Sequence, residues 1–229
     1  MTEQEWNSCD DPGFMLDHIE TKASDRKFRL FAVACCRRMW HLLTDERSRT
    51  AVEVTEQYAD GLASPHAFQA AMECVGRLAE DEGRGKSEPT PATATWLIAY
   101  YPPFDAAYTC GTVSVLMDSE RMKTQPEWWT THEKIGEEEA RNQVWLAHCI
   151  FDNPFRPVSL NPAWLVWRDG TIFKLAQAIY DDRAFDRLPV LADALEEAGC
   201  HDAHILAHCR GPGPHVRGCW VVDLVLGKE

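Results

Sequence analysis

Long apolar runs, strand-like alternation and most signature strings of enzymes are missing from this chain. Its longest apolar stretches, WLIAYY and CWVVDLVLG, are of a size to fill a core and too short to span a bilayer. The start, MTEQEWNSCDD, is acidic and has no apolar h-region, so no secretory leader is expected. The absence of GxxxxGK[ST], of a strand-linked GxGxxG and of GxSxG removes P-loop, dinucleotide-binding and nucleophile-elbow chemistry. Neither CxxC nor HExxH occurs, so the familiar zinc modules are absent too. Positive charge is scarce: 23 Lys and Arg face 36 Asp and Glu, a net charge of −13, with most of the excess on residues 45–150. Such a surface repels phosphate backbones, and no nucleic-acid partner is expected. There is no low-complexity tract, and no period of about 34 to 47 residues that would mark a helical solenoid.

What the chain does have is core. With 45% hydrophobic residues, nine Trp and nine Phe, its 229 residues can bury a substantial interior. Nine cysteines, an odd number, fit a reduced, cytoplasmic protein better than a disulfide framework. Helix signals recur. Ser24 caps DRKFRLFAVACCRRMWHLL, whose apolar residues fall on two faces, as in a mostly buried helix. A helix over 45–60 should stop at Gly61, and Ser64-Pro65 should open another that runs to the loop GRGKSEPTP. PATATWLIAYY reads as a short helix ended by Pro102-Pro103, whereas residues 104–122 fit helix or strand equally. PEWWTTHEKIGEEEARNQVWLAHCIFD is helical, with the EEE run as a solvated face. NPFRPVSLNPAWL, with three prolines, is expected to be an extended crossover. Helical segments DGTIFKLAQAIYDD, DRLPVLADALEEAG, DAHILAHCRG and CWVVDLVLG follow it. The expected fold is mainly α: an irregular multi-helix bundle with a Pro-rich extended crossover, one domain over 1–229 with subregions 1–150 and 151–229.

Several of these strings resemble a bacterial domain family that occurs in many paralogous copies. They are KASDRKFRLFAVACCRRMWHLLTDERSR, NPFRPVSLNPAWL, LAQAIYDDRAFDRLPVLADALEEAGC and HCRGPGPHVRGCWVVDLVLGK, covering both ends of the chain but not roughly 75–145. That family has no established activity, so the resemblance brings no catalytic residue.

Chemistry-bearing side chains concentrate in CHDAHILAHCRGPGPHVRGC, which holds Cys200, His201, His204, His208, Cys209, His215 and Cys219. Imidazole and thiolate are zinc's preferred ligands. On a helix from about Asp202, His201, His204 and His208 share a stripe, while Ile205 and Cys209 turn to the core. The Gly211-Pro212-Gly213-Pro214 turn then carries the chain back. A tetrahedral zinc set of His204, His208, His215 and Cys219 follows, with Cys209 or Cys200 as substitutes. The plainer reading is exposed histidines and core-filling cysteines. A third reading makes Cys219 a helix-start nucleophile beside Arg217 and His215. The likeness of Gly218-Cys219-Trp220 to papain-like GSCW fails, because that order needs His and Asn far downstream.

A second cluster, Lys22, Arg26, Lys27, Arg29, Arg37 and Arg38 with Asp25 as its only acid, forms a candidate anion or partner site, carried chiefly by Arg26, Arg29, Arg37 and Arg38. Pairing with acids of the middle segment, such as Glu53 and Glu56, is the simpler fate of these cations. Vicinal Cys35 and Cys36 read as buried reduced thiols. Aromatics Phe155, Trp164 and Trp167 with Arg156 suit either an interface or a core. The sequence therefore points to a helical binding or scaffolding module acting through protein contacts, with no membrane partner. The alternative is a metalloprotein with a C-terminal His/Cys zinc site, structural rather than hydrolytic.

Overall fold

The computed structural model describes residues 1–84, 89–98, 109, 112, 113, 116 and 132–228, with side chains of the last segment from Glu138 onward. Among the described residues the chain is α-helical, with two short 3-10 turns and no strand. No helix among them is long and apolar enough to cross a membrane. The chain divides into two compact units, Met1–Ala147 and His148–Glu229.

The first unit starts with two short helices, α1 (Glu3–Ser8) and α2 (Pro12–Ile19). The sequence reading missed both, although their signals are present. Thr2 and Glu5 form a reciprocal capping box, and Asp11 caps a helix with proline in its first turn. Next comes α3 (Asp25–Arg38), with the Ser24 hydroxyl accepting from the Lys27 amide at 3.4 Å. Phe28, Leu30, Phe31, Val33, Cys35 and Cys36 are all buried, so this helix loses both faces to the core as expected. Cys35 and Cys36 are free thiols, and burial pushes the Cys36 thiol well up.

Asp45 caps α4 (Glu46–Ala59), and Gly61 follows it at φ +71°, a left-handed position that suits glycine. Ser64 caps α5 (Pro65–Gly83), and Thr90 caps α6 (Pro91–Leu97). Helix α3 packs on α4, α4 on α5, and α5 on α6. Residues 104–122, where helix and strand were both open, lie outside the described residues except for Thr109, Thr112, Val113 and Leu116. Helix α7 (His132–Phe151) carries the chain past the boundary between the units.

The contact of α5 with α6 depends on Gly76. A Cβ there would meet Trp96 Nε1 at 2.8 Å and Cδ1 at 3.1 Å. Gly76→Ala improves helix propensity by about 1 kcal/mol, but forcing a stiff indole aside costs about 1–3 kcal/mol. The expected outcome is a net loss of stability of about 1 kcal/mol, read as a lower urea midpoint at unchanged m-value; a gain would mean that Trp96 moves freely.

In the second unit, residues 152–161 contain no helix and form the crossover. Then come α8 (Pro162–Val166), α9 (Thr171–Asp181), α10 (Leu188–Glu197), α11 (Ala203–Arg210) and α12 (Trp220–Leu226). Helix α9 packs on α8, α10 and α12, and α10 packs on α11. Their apolar faces meet in one core: Trp164, Ile172, Ile179, Leu188, Leu191, Leu195, Ile205, Trp220 and Val222 are buried there with Cys149, Cys200, Cys209 and Cys219. Trp164 is thus core, whereas Phe155 stays 36% exposed.

Candidate metal centre

Four segments of the second unit deliver one side chain each to a common point. Cys149 comes from the last turn of α7 and is buried. His208 comes from α11, which Asp202 caps by accepting from the amides of His204 (2.8 Å) and Ile205 (3.3 Å). Burying Ile205, Leu206 and Cys209 fixes the helix's rotation and leaves His208 at the core's edge, half-buried.

The turn that follows returns the chain. Gly213 sits at φ +66°, and a Cβ on it would meet the His215 amide nitrogen at 3.2 Å, so both strain and crowding select glycine. It brings the His215 ring edge-on to that of His208, with centroids 4.7 Å apart at 68°. Cys219 then stands at the N-cap of α12, fully buried.

Ligand atoms of Cys149, His208, His215 and Cys219 all lie within 4.8 Å of one another. His208 Nε2 is 3.2 Å from Cys219 Sγ, and Cys149 Sγ is 3.7 Å from His215 Nδ1. In a zinc tetrahedron with the usual Zn–S and Zn–N bond lengths, the sulfur–nitrogen edge is about 3.5 Å. The two observed edges bracket that length. No two ligand atoms are farther apart than 4.8 Å, so modest adjustments would bring the set round an ion. His215 Nε2 is buried without a hydrogen-bond partner, a cost of about 1–3 kcal/mol for a polar atom kept from water.

The electrostatics separate the thiols. Burial pushes Cys219 up, but its polar contact with Cys149, the charge of His208, and contacts with His208 and His215 together hold it well below its ordinary value. Cys209 is driven the other way by burial and by the neighbouring Cys219 and Cys200. Burial also raises Cys200. The same surroundings thus lower one thiol of the cluster and raise the two proposed substitutes. Burial, and secondarily the charge of His208, lowers the pKa of the adjacent His148.

Of the ligands expected from sequence, the structure brings together His208, His215 and Cys219 but not His204. The fourth place is filled by Cys149. His204 Nε2 instead lies 2.6 Å from Asp152 Oδ1 and its ring stacks on Trp220 at 5.0 Å. Asp152 follows α7 at φ +61°, and burial raises its pKa against the opposing bond to His204. The sequence marks Cys149 only as part of a helical segment. Its 59-residue separation from His208 leaves no local spacing to find it by. Arg217, expected beside Cys219, donates to the Tyr180 carbonyl oxygen at 3.1 Å and lies over that ring, so the lowered thiol owes nothing to it.

The basic cluster of the first unit meets internal partners. Arg26 pairs with Asp60 at 3.0 Å, Arg37 with Glu56 at 3.0 Å and Arg38 with Glu139 at 2.8 Å. Arg29 lies over the Tyr58 and Phe68 rings, which stack on each other. Pairing with the acidic middle segment, including Glu56, accounts for these charges. One expectation is overturned: Glu139, read as part of a solvated EEE face, is 2% exposed because Arg38 neutralises it inside the fold.

Compared with known proteins, no family model matches the chain, and no curated protein and no solved structure is significantly similar to it.

Proposed function

We propose that residues 148–229 form a zinc-stapled helical unit, with Cys149, His208, His215 and Cys219 as the four ligands, and that the chain acts as a binding module through protein contacts. The observation that carries the metal reading is the convergence of two sulfurs and two imidazoles from four separate segments within 4.8 Å. Four protein ligands complete a tetrahedron and leave no position for an activating water, which favours a structural over a hydrolytic role. A tetrahedral sulfur–nitrogen donor set suits zinc, and among redox metals an iron–sulfur centre. In support of contacts, the unit exposes apolar side chains at Val166 (74%), Val190 (55%) and Phe173 (41%).

Elemental analysis of the purified chain tests the metal reading. One zinc per chain is expected from a colourless protein, and substitution with Co²⁺ should give the intense visible bands of a tetrahedral thiolate site. Cys149→Ser and His208→Ala should abolish stoichiometric binding, and His204→Ala should retain it. Stably folded, metal-free protein that takes up no Co²⁺ refutes the site, and a brown protein containing iron reassigns it.

A further inference from the structure

The two sulfurs of the cluster belong to residues 70 positions apart, yet lie within 4.8 Å of each other. Neither is in a disulfide. A disulfide needs the sulfurs to close to about 2.05 Å, a movement of no more than a few ångströms. One partner, Cys219, follows Gly218 at φ +93° and stands at the N-cap of a short helix. The other thiols of the same core, Cys200 and Cys209, are outside the four-residue group.

A groove of about 480 Å³ lies beside the cluster, lined by Gly211, Pro212, Gly213, Pro214 and His215 together with Arg183 and Asp186. Its wall therefore includes a ligand of the cluster. A molecule little larger than water can reach the edge of the site there, although Cys149 and Cys219 themselves are 1% and 0% exposed.

We propose that hydrogen peroxide converts Cys149 and Cys219 into a disulfide and releases the bound metal while the unit remains folded, making the centre a peroxide-triggered zinc donor. The zinc release rests on the metal reading above; the sulfur–sulfur bond does not. One thiolate attacks a peroxide oxygen, the O–O bond breaks, and hydroxide leaves to become water on taking a proton. The sulfenic acid so formed is attacked by the second thiolate, which makes the S–S bond and expels a second hydroxide, likewise protonated. In total, two thiolates, one peroxide and two protons give one disulfide and two waters; the two electrons pass from sulfur to peroxide, and the ion leaves with its charge unchanged. The new bond closes a loop over nearly the whole unit, so a covalent tie replaces the coordinate one.

The test is titration of the zinc-loaded chain with hydrogen peroxide. Freed zinc is followed with a chromogenic chelator, the linkage by non-reducing peptide mapping, and the fold by circular dichroism. Expected are one zinc freed per disulfide formed, a Cys149–Cys219 cross-linked peptide, retained helicity, and reversal by a dithiol reductant with added zinc. A Cys200→Ala, Cys209→Ala double variant should behave like the parent; if it does not fold, mapping of the parent chain decides. Zinc retained with both thiols reduced overturns the proposal, as does linkage through Cys200 or Cys209, or oxidation to sulfinic acid without a disulfide. If the chain purifies without zinc and takes up no Co²⁺, the metal reading falls on its own. Mapping of the metal-free chain then decides the disulfide separately: the Cys149–Cys219 linkage supports that half of the proposal, and its absence overturns it.

Discussion

On the zinc reading proposed above, a strong chelator should lower the melting temperature of residues 148–229 by about 15–30 °C. A ligand present at a thousandfold excess over its dissociation constant stabilises the folded state by about 4 kcal/mol. In a unit of fewer than 100 residues, each kcal/mol moves the midpoint by about 4–8 °C. The core of Ile172, Ile179, Leu191, Leu195, Ile205 and Trp220 is real, so the unit need not unfold outright at low temperature. Without an ion, however, it must keep the two sulfurs and two imidazoles of the cluster packed together out of water with no charge to hold them. Scanning calorimetry with and without chelator reads the difference, and the Cys149→Ser variant should reproduce the stripped profile without any chelator. Superimposable scans would mean that the four side chains pack as they stand and bind nothing that matters.

Arg38→Ala should destabilise the first unit by about 3–5 kcal/mol, the usual cost of removing one partner of a buried pair. Three hydrogen bonds join the guanidinium to Glu139: Nε to Oε1 at 2.9 Å, Nε to Oε2 at 3.2 Å and the terminal nitrogen to Oε2 at 2.8 Å. The partners are unequally buried, with side chains 22% and 2% exposed. Removing arginine strands an almost fully buried carboxylate, to which, among the described residues, Gln143 alone still donates, at 3.2 Å. Removing the carboxylate strands a cation that water can reach, so Glu139→Ala should cost less. Arg38→Met combined with Glu139→Met should recover most of the loss, since neither charge is then left unpaired. Urea denaturation of the three variants decides this, and equal costs for the two single changes would contradict the asymmetry.

The parts of the molecule written in neighbouring residues were readable in advance. Ser24, Ser64-Pro65 and Gly61 mark helix ends because capping uses atoms two or three residues away. The two-faced apolar pattern of residues 25–38 marked a buried helix for the same reason. Three of the four cluster residues were found because one helix and one turn hold them within twelve residues. Cys149 and Glu139 escaped because their partners lie 66 and 101 residues away, at His215 and Arg38. No local pattern records that a thiol or a carboxylate will be met across the fold. His204 was assigned to the metal by its stripe, and the carboxylate that claims it, Asp152, is 52 residues distant.

That uneven spacing also sets an order of assembly. His208, His215 and Cys219 are near one another in the unfolded chain, so closing them round an ion costs little chain entropy, whereas recruiting Cys149 closes a long loop. An ion held by the three nearby residues fastens α11, the glycine–proline turn and the start of α12 before the rest of the unit has docked. The slow step is then the capture of Cys149, and its rate follows the occupancy of that three-point intermediate. On the zinc reading proposed above, folding speed in the second unit would become a function of free metal concentration, and zinc would act as a reagent of folding as well as a component of the folded protein.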